Sequence, residues 1–413
     1  TAASPAPALS QPPSAVADLQ SAIGNPQSYD IGSPTLSDVW VDPVNGDDSR
    51  SGATRDQALR TLTEAWNRIP VAAELTTGYR ILLAAGTHPE DTLPNYLESR
   101  YGTAQSPIII QSADGPGAAV LGGDLNIFDT RYLYLIDLAV IPDPPGDVIH
   151  CEKCDHFLIR GSVLNGGDNQ DAHETVKVNQ SQFVFIETSD ISGTYENTID
   201  FVAVQYGHIT GNRLHNAGDW CAYVKGGSAY IRVEGNEIYD CGTGGFTAGQ
   251  GTGFQYMVAP WIQYEAYDIK VINNVIHDTF GAGLGVDGGY NILLAHNTLY
   301  RVGENSHTVE FAFGFRSCDG QPGDEGRERC DQNLAAGGWG TTAIDDGTNA
   351  ARIPNKNVFV YNNLLYNPPG YQSQWQNFAI FGPFSGAAQN GSNAPVPTLA
   401  DDSMQIRGNI ILD

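Results

Sequence analysis

Ile231–Ile238 reads IRVEGNEI, in which short alternating aliphatic residues lead to Asn236 and then to a further aliphatic residue. Segments of the same kind are His208–Leu214 (HITGNRL), Ile269–Ile276 (IKVINNVI), Ile292–Leu299 (ILLAHNTL), Val358–Leu365 (VFVYNNLL) and Gln405–Ile411 (QIRGNII). Asn212 and Asn236 are 24 residues apart, and Asn274 and Asn297 are 23 apart. A fixed period with one recurring turn residue is typical of a solenoid.

The turn residue indicates how the repeats stack. Asn tolerates the left-handed backbone region and can hydrogen-bond to the same residue of a stacked neighbour. Two earlier segments, Phe157–Leu164 (FLIRGSVL) and Phe183–Ile191 (FVFIETSDI), have Ser at this position. The Gly, Asn and β-branched content excludes a helical solenoid, and a β-sandwich lacks a fixed period. The sequence therefore predicts an all-β protein, a right-handed parallel β-helix.

Sequence composition divides the chain into a linker and one domain. Residues 1–37, rich in Pro, Ala and Ser at their start, are predicted to be an N-terminal linker of a secreted protein whose signal peptide has been removed. Residues 38–413 are predicted to be a single β-helix domain. Apolar periodicity over Arg55–Ile69 predicts an amphipathic helix that caps the open end of the core. Long loop insertions are expected at 253–268, 317–356 and 382–402.

Composition limits the function classes. The chain has 413 residues, 41% of them hydrophobic, which is enough for a large core and excludes global disorder. No apolar run is long enough for a membrane-spanning helix. The formal net charge of −26 excludes a nucleic-acid-binding protein, because phosphate neutralisation needs a basic surface.

The six Cys residues fit an oxidising, secreted or periplasmic location. Cys318 and Cys330 bracket a polar loop, whereas Cys221 and Cys241 are about one repeat apart and could stack. Cys151 and Cys154 form a CxxC without the βαβ context of a redox motif or a second ligand pair for zinc. We therefore expect three disulfides: Cys318–Cys330, Cys221–Cys241 and Cys151–Cys154.

Two segments carry a resemblance to a known superfamily. Trp40–Trp66 (WVDPVNGDDSRSGATRDQALRTLTEAW) and Tyr223–Gly242 (YVKGGSAYIRVEGNEIYDCG), with the Asn-turn coils, resemble the pectate-lyase-like right-handed β-helix superfamily. The nearest likeness is to bacterial polysaccharide lyases of the pectate lyase and chondroitinase B/alginate lyase kind. This resemblance implies β-elimination of an acidic polysaccharide with a Lys or Arg base, often with calcium. The superfamily also includes hydrolases, epimerases, phage tailspikes and adhesins.

Lys225 is the leading candidate for the base. It ends a predicted strand before Gly226 and Gly227, whose small size lets a polymer approach. By resemblance it matches the base Lys of chondroitinase B-like lyases. Those lyases carry an Arg about one coil later, where this chain has Gln250, which can bind a carboxylate or hydroxyl but supplies no charge.

Further site candidates lie on neighbouring predicted strands. Lys177 is the second candidate for the base. Counting back from the turns places it near Val224, so that strand alternation puts Lys177 and Lys225 on opposite faces unless a bulge intervenes. Acidic residues on one face could form a ladder that suits calcium or a paired-carboxylate hydrolase. The predicted substrate-binding residues are Asp200, Tyr223, Tyr256, Asp287 and Glu310, and a weaker metal candidate is Asp168, Asp171 and Glu174.

The sequence thus favours a secreted polysaccharide lyase that acts on a uronic-acid-containing glycan with a Lys base. The expected partner is an acidic polysaccharide, and Ca²⁺ is a possible cofactor. Two alternatives stay open: a β-helix glycoside hydrolase or epimerase that uses paired carboxylates, and a non-catalytic glycan-binding or structural β-helix.

Overall fold

The computed structural model describes residues 27–167, 173–318, 321–341, 350–371, 373, 375–386 and 391–412. Within these ranges the chain winds through three long parallel sheets, which we name A, B and C. Each coil contributes one strand to sheet A, then one to sheet B, then one to sheet C. The prediction of a right-handed parallel β-helix is confirmed.

The strands of each sheet are as follows. Sheet A contains Leu36–Val41, Gly78–Leu83, Ile108–Ser112, Arg131–Ile136, Asp155–Arg160, Gln182–Glu187, Gln205–Thr210, Ser228–Glu234, Ala266–Tyr267, Lys270–Ile272, Gly289–Ala295, Lys356–Tyr361 and Gln405–Arg407. Sheet B contains Gly86–His88, Ala119–Leu121, Ala139–Val140, Val163–Asn165, Asp190–Thr194, Arg213–Ala217, Glu237–Cys241, Val275–Thr279, Thr298–Tyr300, Leu364–Tyr366 and Ile410–Leu412. Sheet C contains Leu97–Glu98, Leu125–Phe128, Ile149–Glu152, Val176–Asn179, Ile199–Val202, Trp220–Lys225, Gly244–Gly249, Ala282–Asp287, Val309–Ala312 and Phe378–Ile380.

Aliphatic stacking in register forms the core. Leu135, Ile159, Ile186, Ile209 and Val233 occupy equivalent positions on five successive strands of sheet A and are fully or almost fully buried. Each coil therefore buries its inward residues against the coils on either side, as expected for a solenoid in which no coil is stable alone.

The recurring Asn residues form a hydrogen-bonded ladder between sheets A and B. The Oδ1 atom of Asn274 accepts from the backbone N–H of Asn236 at 3.0 Å and from its side-chain amide at 2.9 Å. The same pairing joins Asn212, Asn236, Asn274, Asn297, Asn363 and Asn409 in order. Ser189 and Ser162 continue the ladder, as their positions in the repeat predict.

The start of the domain differs in detail from the prediction. Instead of one helix over Arg55–Ile69, there is a 3₁₀ turn at Arg55–Gln57 and a short α-helix, α1, at Leu62–Asn67. Between them Leu59 runs extended and bridges to Val41, and Thr61 begins α1 by accepting a hydrogen bond from Glu64 N–H. The predicted apolar face is nevertheless buried, because Leu59, Leu62 and Trp66 belong to the main core.

Residues outside the coils pack on two faces. Tyr29 stacks on Phe185 and, with Ile31, covers the outer surface of sheet A, and the first strand already begins at Leu36. The insertion after Ser317 contains helix α2 (Glu325–Ala335). A small sheet D joins Gly251–Gly253, Gly314–Ser317 and Ala351–Ile353, and further 3₁₀ turns lie at Glu90–Thr92 and Phe254–Tyr256.

All three predicted disulfides are present: Cys151–Cys154, Cys221–Cys241 and Cys318–Cys330. Their confirmation leaves no free cysteine in the chain. Among the described residues, no helix has the length and apolar character that crossing a membrane requires.

Candidate functional site

Lys177 and Lys225 lie on the same, outward face of sheet C. Lys177, Asp200 and Tyr223 are paired in register on three successive strands, and Lys225 is two residues after Tyr223. Since residues two apart on a strand share a face, the prediction that the two lysines point in opposite directions is wrong.

The reason is one extra residue in the turn after Lys225. Val202 pairs with Lys225, 23 residues on, whereas Gln205 pairs with Ala229, 24 residues on. The added residue belongs to the Gly226–Gly227 turn, where both glycines have positive φ. A Cβ on Gly227 would lie 2.0 Å from the carbonyl oxygen of Trp261, so only glycine fits. The prediction counted residues back across this turn without the extra residue, so it misplaced Lys177 by one position. A one-residue shift moves a side chain to the opposite face of the strand.

The two lysines lie in a cleft of about 500 Å³ on sheet C. Its floor is the outer face of four strands, and its rim is Gly251–Gly253 with Tyr256. The lining also includes His150, Glu152, Glu174, Lys177, Asn179, Glu196, Asp200, Val202, Tyr223 and Lys225. His150, Asn179 and Glu196 were not predicted from the sequence. His150 pairs with Lys177 and Asn179 is two residues after it, so both follow from the register once the outward face of Lys177 is known, whereas Glu196 lies in a turn before the next strand.

Among the described residues, the side-chain hydrogen-bond partners of Lys225 are both neutral. Its Nζ atom donates to the Tyr223 hydroxyl at 3.0 Å and to Gln250 Oε1 at 3.1 Å, and it lies 4.2 Å from the centre of the Tyr223 ring. Among the described residues no carboxylate lies within 4.0 Å of this ammonium group. The Lys225 amino group is therefore open to direct contact with an incoming acidic group.

Lys177, in contrast, is already paired with carboxylates. Its Nζ atom is 2.7 Å from Glu174 Oε1 and 3.6 Å from Asp200 Oδ2. Burial acts to lower the pKa of Lys177, but Asp200 and Glu174 outweigh it and raise that pKa above the ordinary value. Lys177 is therefore protonated at neutral pH and is a poor candidate for a base.

Two groups beside the lysines, one buried and one half-buried, are held neutral. Burial, with the carboxylates of Asp200 and Glu174, raises the pKa of the Tyr223 phenol well above its usual value. Burial, with the ammonium of Lys177, lowers the pKa of the His150 imidazole. The pKa of Asp200 is raised by burial, which Lys225 and Lys177 oppose. The cleft thus combines a neutral phenol, a neutral imidazole and two lysines.

A buried ion pair holds the wall of the cleft beside Lys225. Glu265 and Arg316 are both fully buried, with Nη2 and Oε1 2.5 Å apart. Glu265 Oε2 also accepts from Gly226 N–H at 3.0 Å and from the Thr252 hydroxyl at 2.5 Å. The sheet D strand that contains Arg316 therefore fixes, through Glu265, both the turn after Lys225 and the rim of the cleft.

Asp287 and Glu310 lie outside this cleft. They occupy neighbouring strands of sheet C, and Asp200 is separated from the Asp287 strand by the strands of Tyr223 and Thr247. A continuous acidic ladder through Asp200 does not form. Burial and the Glu310 carboxylate raise the pKa of Asp287 well above its usual value, and burial raises that of Glu310.

The predicted metal ligands are only partly visible. Asp168 and Asp171 lie outside the described residues, and Glu174 pairs with Lys177. Among the described residues, no group of three or more His, Cys, Asp or Glu side chains is arranged to hold a metal ion. The calcium expectation therefore stays a prediction.

Comparisons with known proteins agree with the fold. Residues 147–313 match the family model described as a right-handed beta helix region. A search of the curated proteins gives no match. The chain is thus a right-handed parallel β-helix protein with a lysine-containing cleft on sheet C.

Similar solved structures include several carbohydrate-active proteins. The A-module of a mannuronan C-5 epimerase from Azotobacter vinelandii is 12% identical over 97% of this chain and 94% of its own, with a TM-score of 0.48. A rhamnogalacturonan lyase is 13% identical over 90% and 87%, with a TM-score of 0.46. A lacto-N-biosidase from Eubacterium ramulus is 12% identical over 91% and 67%, with a TM-score of 0.44. At these identities the likeness concerns the fold.

Proposed function

We propose that the protein is a polysaccharide lyase that cleaves a uronic-acid-containing glycan by β-elimination in the Lys225 cleft. One observation carries this proposal. Lys225 faces an open cleft and contacts the uncharged Tyr223 hydroxyl and Gln250 amide, so it is free to meet an acidic sugar. Its partners do not tie its proton to a carboxylate, as those of Lys177 do.

The proposed reaction divides among three side chains. Lys225, as the free amine, takes the proton from the carbon next to the sugar carboxylate, and the electron pair of that C–H bond forms the new double bond. The C–O bond to the leaving sugar then breaks. Tyr223, whose pKa is raised by burial, is neutral and can give its proton to the departing oxygen. Lys177 stays protonated and offsets the negative charge that develops on the sugar carboxylate.

The location proposed for this activity is outside the cytosol. The chain contains three disulfide bonds, and disulfide bonds persist in secreted and periplasmic proteins. A polysaccharide substrate fits the same compartments. Secretion is tested by following the protein in culture supernatant.

A second candidate function depends on the carboxyl groups of Asp287 and Glu310. Asp287 and Glu310 lie on neighbouring strands, and both have a pKa raised by burial. A glycoside hydrolase uses a protonated carboxyl group as the general acid and a second carboxyl group as the base or nucleophile. In that case Lys225 would contribute to binding alone.

The deciding experiment is a panel of acidic and neutral polysaccharides, assayed in parallel for ultraviolet absorbance of an unsaturated product and for new reducing ends. Wild type is compared with Lys225→Ala and with Lys356→Ala. Lys356 is a matched control because it is a partly exposed lysine on sheet A, paired with Asp402. Each reaction is run with and without a calcium chelator, since Asp168, Asp171 and Glu174 remain predicted ligands.

The proposal expects an ultraviolet-absorbing product that Lys225→Ala abolishes and Lys356→Ala preserves. Reducing ends without ultraviolet absorbance, lost in Asp287→Asn instead, would favour the hydrolase. Binding of a glycan with no product would identify a non-catalytic binder. Turnover that Lys225→Ala leaves unchanged would remove Lys225 as the base.

A further inference from the structure

A second cavity adjoins the Lys225 cleft. It has a volume of about 320 Å³ and shares His150 and Glu152 with the first cavity. Its other side chains come from the earlier strands of sheet C and from Tyr96, just before the first of them. The two cavities therefore form one trough along the outer face of sheet C.

The trough is long enough for several sugar rings. From the Lys225 strand, Trp220–Lys225, to the strand Leu125–Phe128 there are four strand steps. At about 4.8 Å a step this is roughly 19 Å. A glycan that lies across the strands with one ring at Lys225 therefore places another ring in the second cavity.

The second cavity offers aromatic and amide groups. The Tyr96 side chain is 55% exposed and lies beside Phe128, which contributes a further ring to the lining. Asn126 adds an amide, which donates to Asp124 at 2.5 Å. Aromatic rings beside a few polar groups form the kind of surface on which the apolar face of a sugar packs.

The charges of this cavity are negative. Glu98 and Glu152 line it, and its lining contains no Lys or Arg. The half-exposed Lys153 pairs with Glu152 at 3.3 Å and lies 4.8 Å from the centre of the Phe128 ring, whereas the Glu98 carboxylate forms no ion pair among the described residues. A uronate bound here would face the Glu98 carboxylate, which has no cationic partner among the described residues, and this repulsion disfavours it.

We propose that the second cavity is a subsite for an uncharged sugar. This inference rests on the proposed function and makes it more specific. The substrate is then a mixed glycan, in which a uronic acid occupies the Lys225 cleft and an uncharged sugar occupies the Tyr96 subsite. Homopolymers of uronic acid are poor substrates, because they place a carboxylate beside Glu98.

The test compares two glycan classes of equal length, a homopolymer of uronic acid and a polymer that alternates uronic acid with an uncharged sugar. Wild type should have a kcat/KM about tenfold higher on the alternating polymer at low salt. Tyr96→Ala should lower kcat/KM on that polymer about fivefold, mainly through KM. It should leave unchanged the cleavage of an oligosaccharide too short to reach Tyr96.

Glu98→Gln examines the charge directly. It should raise kcat/KM on the homopolymer several-fold at low salt, and the gain should shrink at high salt. Phe280→Ala is the matched control, because Phe280 is a 53% exposed aromatic side chain that lines neither cavity. Equal or better turnover of the homopolymer by wild type, or equal effects of Tyr96→Ala and Phe280→Ala, would overturn the inference.

A binding experiment distinguishes failure of the proposed lyase function from failure of the subsite inference. If wild type cleaves no glycan, the same two polymers are titrated calorimetrically into the Lys225→Ala protein. Tighter binding of the alternating polymer, weakened by Tyr96→Ala, would support the subsite without any lyase activity. Tighter binding of the homopolymer, no dependence on Tyr96, or no binding of either polymer would overturn it.

Discussion

The carboxylate of Glu265 accepts a hydrogen bond at 3.0 Å from the backbone N–H of Gly226, the residue that follows Lys225. Its other oxygen pairs with Arg316, and neither side chain is exposed. Arg316 also donates to the carbonyl oxygens of Ile262, Gln263 and Trp339. One ion pair therefore connects the turn after Lys225 to two insertions that are far apart in sequence.

Removal of one partner of this pair should be costly. Glu265→Gln leaves Arg316 as an uncompensated buried charge, and we expect a loss of about 3–5 kcal/mol in the free energy of unfolding. Urea denaturation measures this loss. The double variant Glu265→Gln with Arg316→Met should recover part of it, because no charge then remains buried. A single variant as stable as wild type would contradict this prediction.

The Asn ladder should be most sensitive at its centre. Asn274 accepts two hydrogen bonds from Asn236 and donates to Asn297 and to the Val233 carbonyl oxygen, all of them buried. Asn274→Ala leaves these buried polar groups without hydrogen-bond partners, and we expect a loss of about 3 kcal/mol in the free energy of unfolding.

Asn409→Ala provides the matched comparison for Asn274→Ala. Asn409 ends the ladder and is partly exposed, so water can replace its amide and the expected loss is about 1 kcal/mol. Chemical denaturation of the two variants under the same conditions gives the difference. Equal losses would show that the position of an Asn in the ladder does not affect its contribution to the free energy of unfolding.

The ladder also explains why the fold could be predicted from sequence. Asn212 and Asn236 signal a turn whose chemistry is local, and their repetition fixes the order of the coils. The burial of Leu62 and Trp66 was likewise predicted by periodicity, although the helix itself is shorter. Local rules were therefore sufficient for the architecture.

The site could be predicted only in part. Lys225 was identified from its position before two glycines, but those same glycines include the extra residue that displaced the predicted register of Lys177. The wall of the cleft depends on Arg316 and Glu265, which are 51 residues apart. No local pattern indicates that pairing, because it arises only when the insertions pack against the coils.

Asp287 should make stability depend on pH. Burial and Glu310 raise its pKa in the folded state well above the ordinary value of 3.8. As pH rises above that value the unfolded state releases the proton and the folded state retains it, so the free energy of unfolding falls. The fall ends once pH passes the folded-state pKa.

Asp287→Asn removes this dependence. The stability of the variant relative to wild type should therefore increase as pH rises above about 4. Urea midpoints measured from acidic to mildly alkaline pH provide the check, with the exposed carboxylate variant Asp91→Asn as a control. A stability difference that is constant across this range would mean that Asp287 does not retain its proton in the folded state.

Gln250 should control the protonation of Lys225. Its Oε1 atom lies 3.1 Å from Lys225 Nζ and carries no charge. Gln250→Glu places a carboxylate at this position, which favours the protonated ammonium and raises the pKa of Lys225. If Lys225 acts as the base, each unit of that rise lowers the fraction of free amine about tenfold at neutral pH. We therefore expect kcat to fall by about that factor and the rise of kcat with pH to move to higher pH.

Gln250→Leu is the control variant, because it removes the hydrogen bond without adding charge. It should not move the rise of kcat to higher pH. Superimposable pH profiles for the two variants would show that the Lys225 proton is not part of the rate-limiting chemistry.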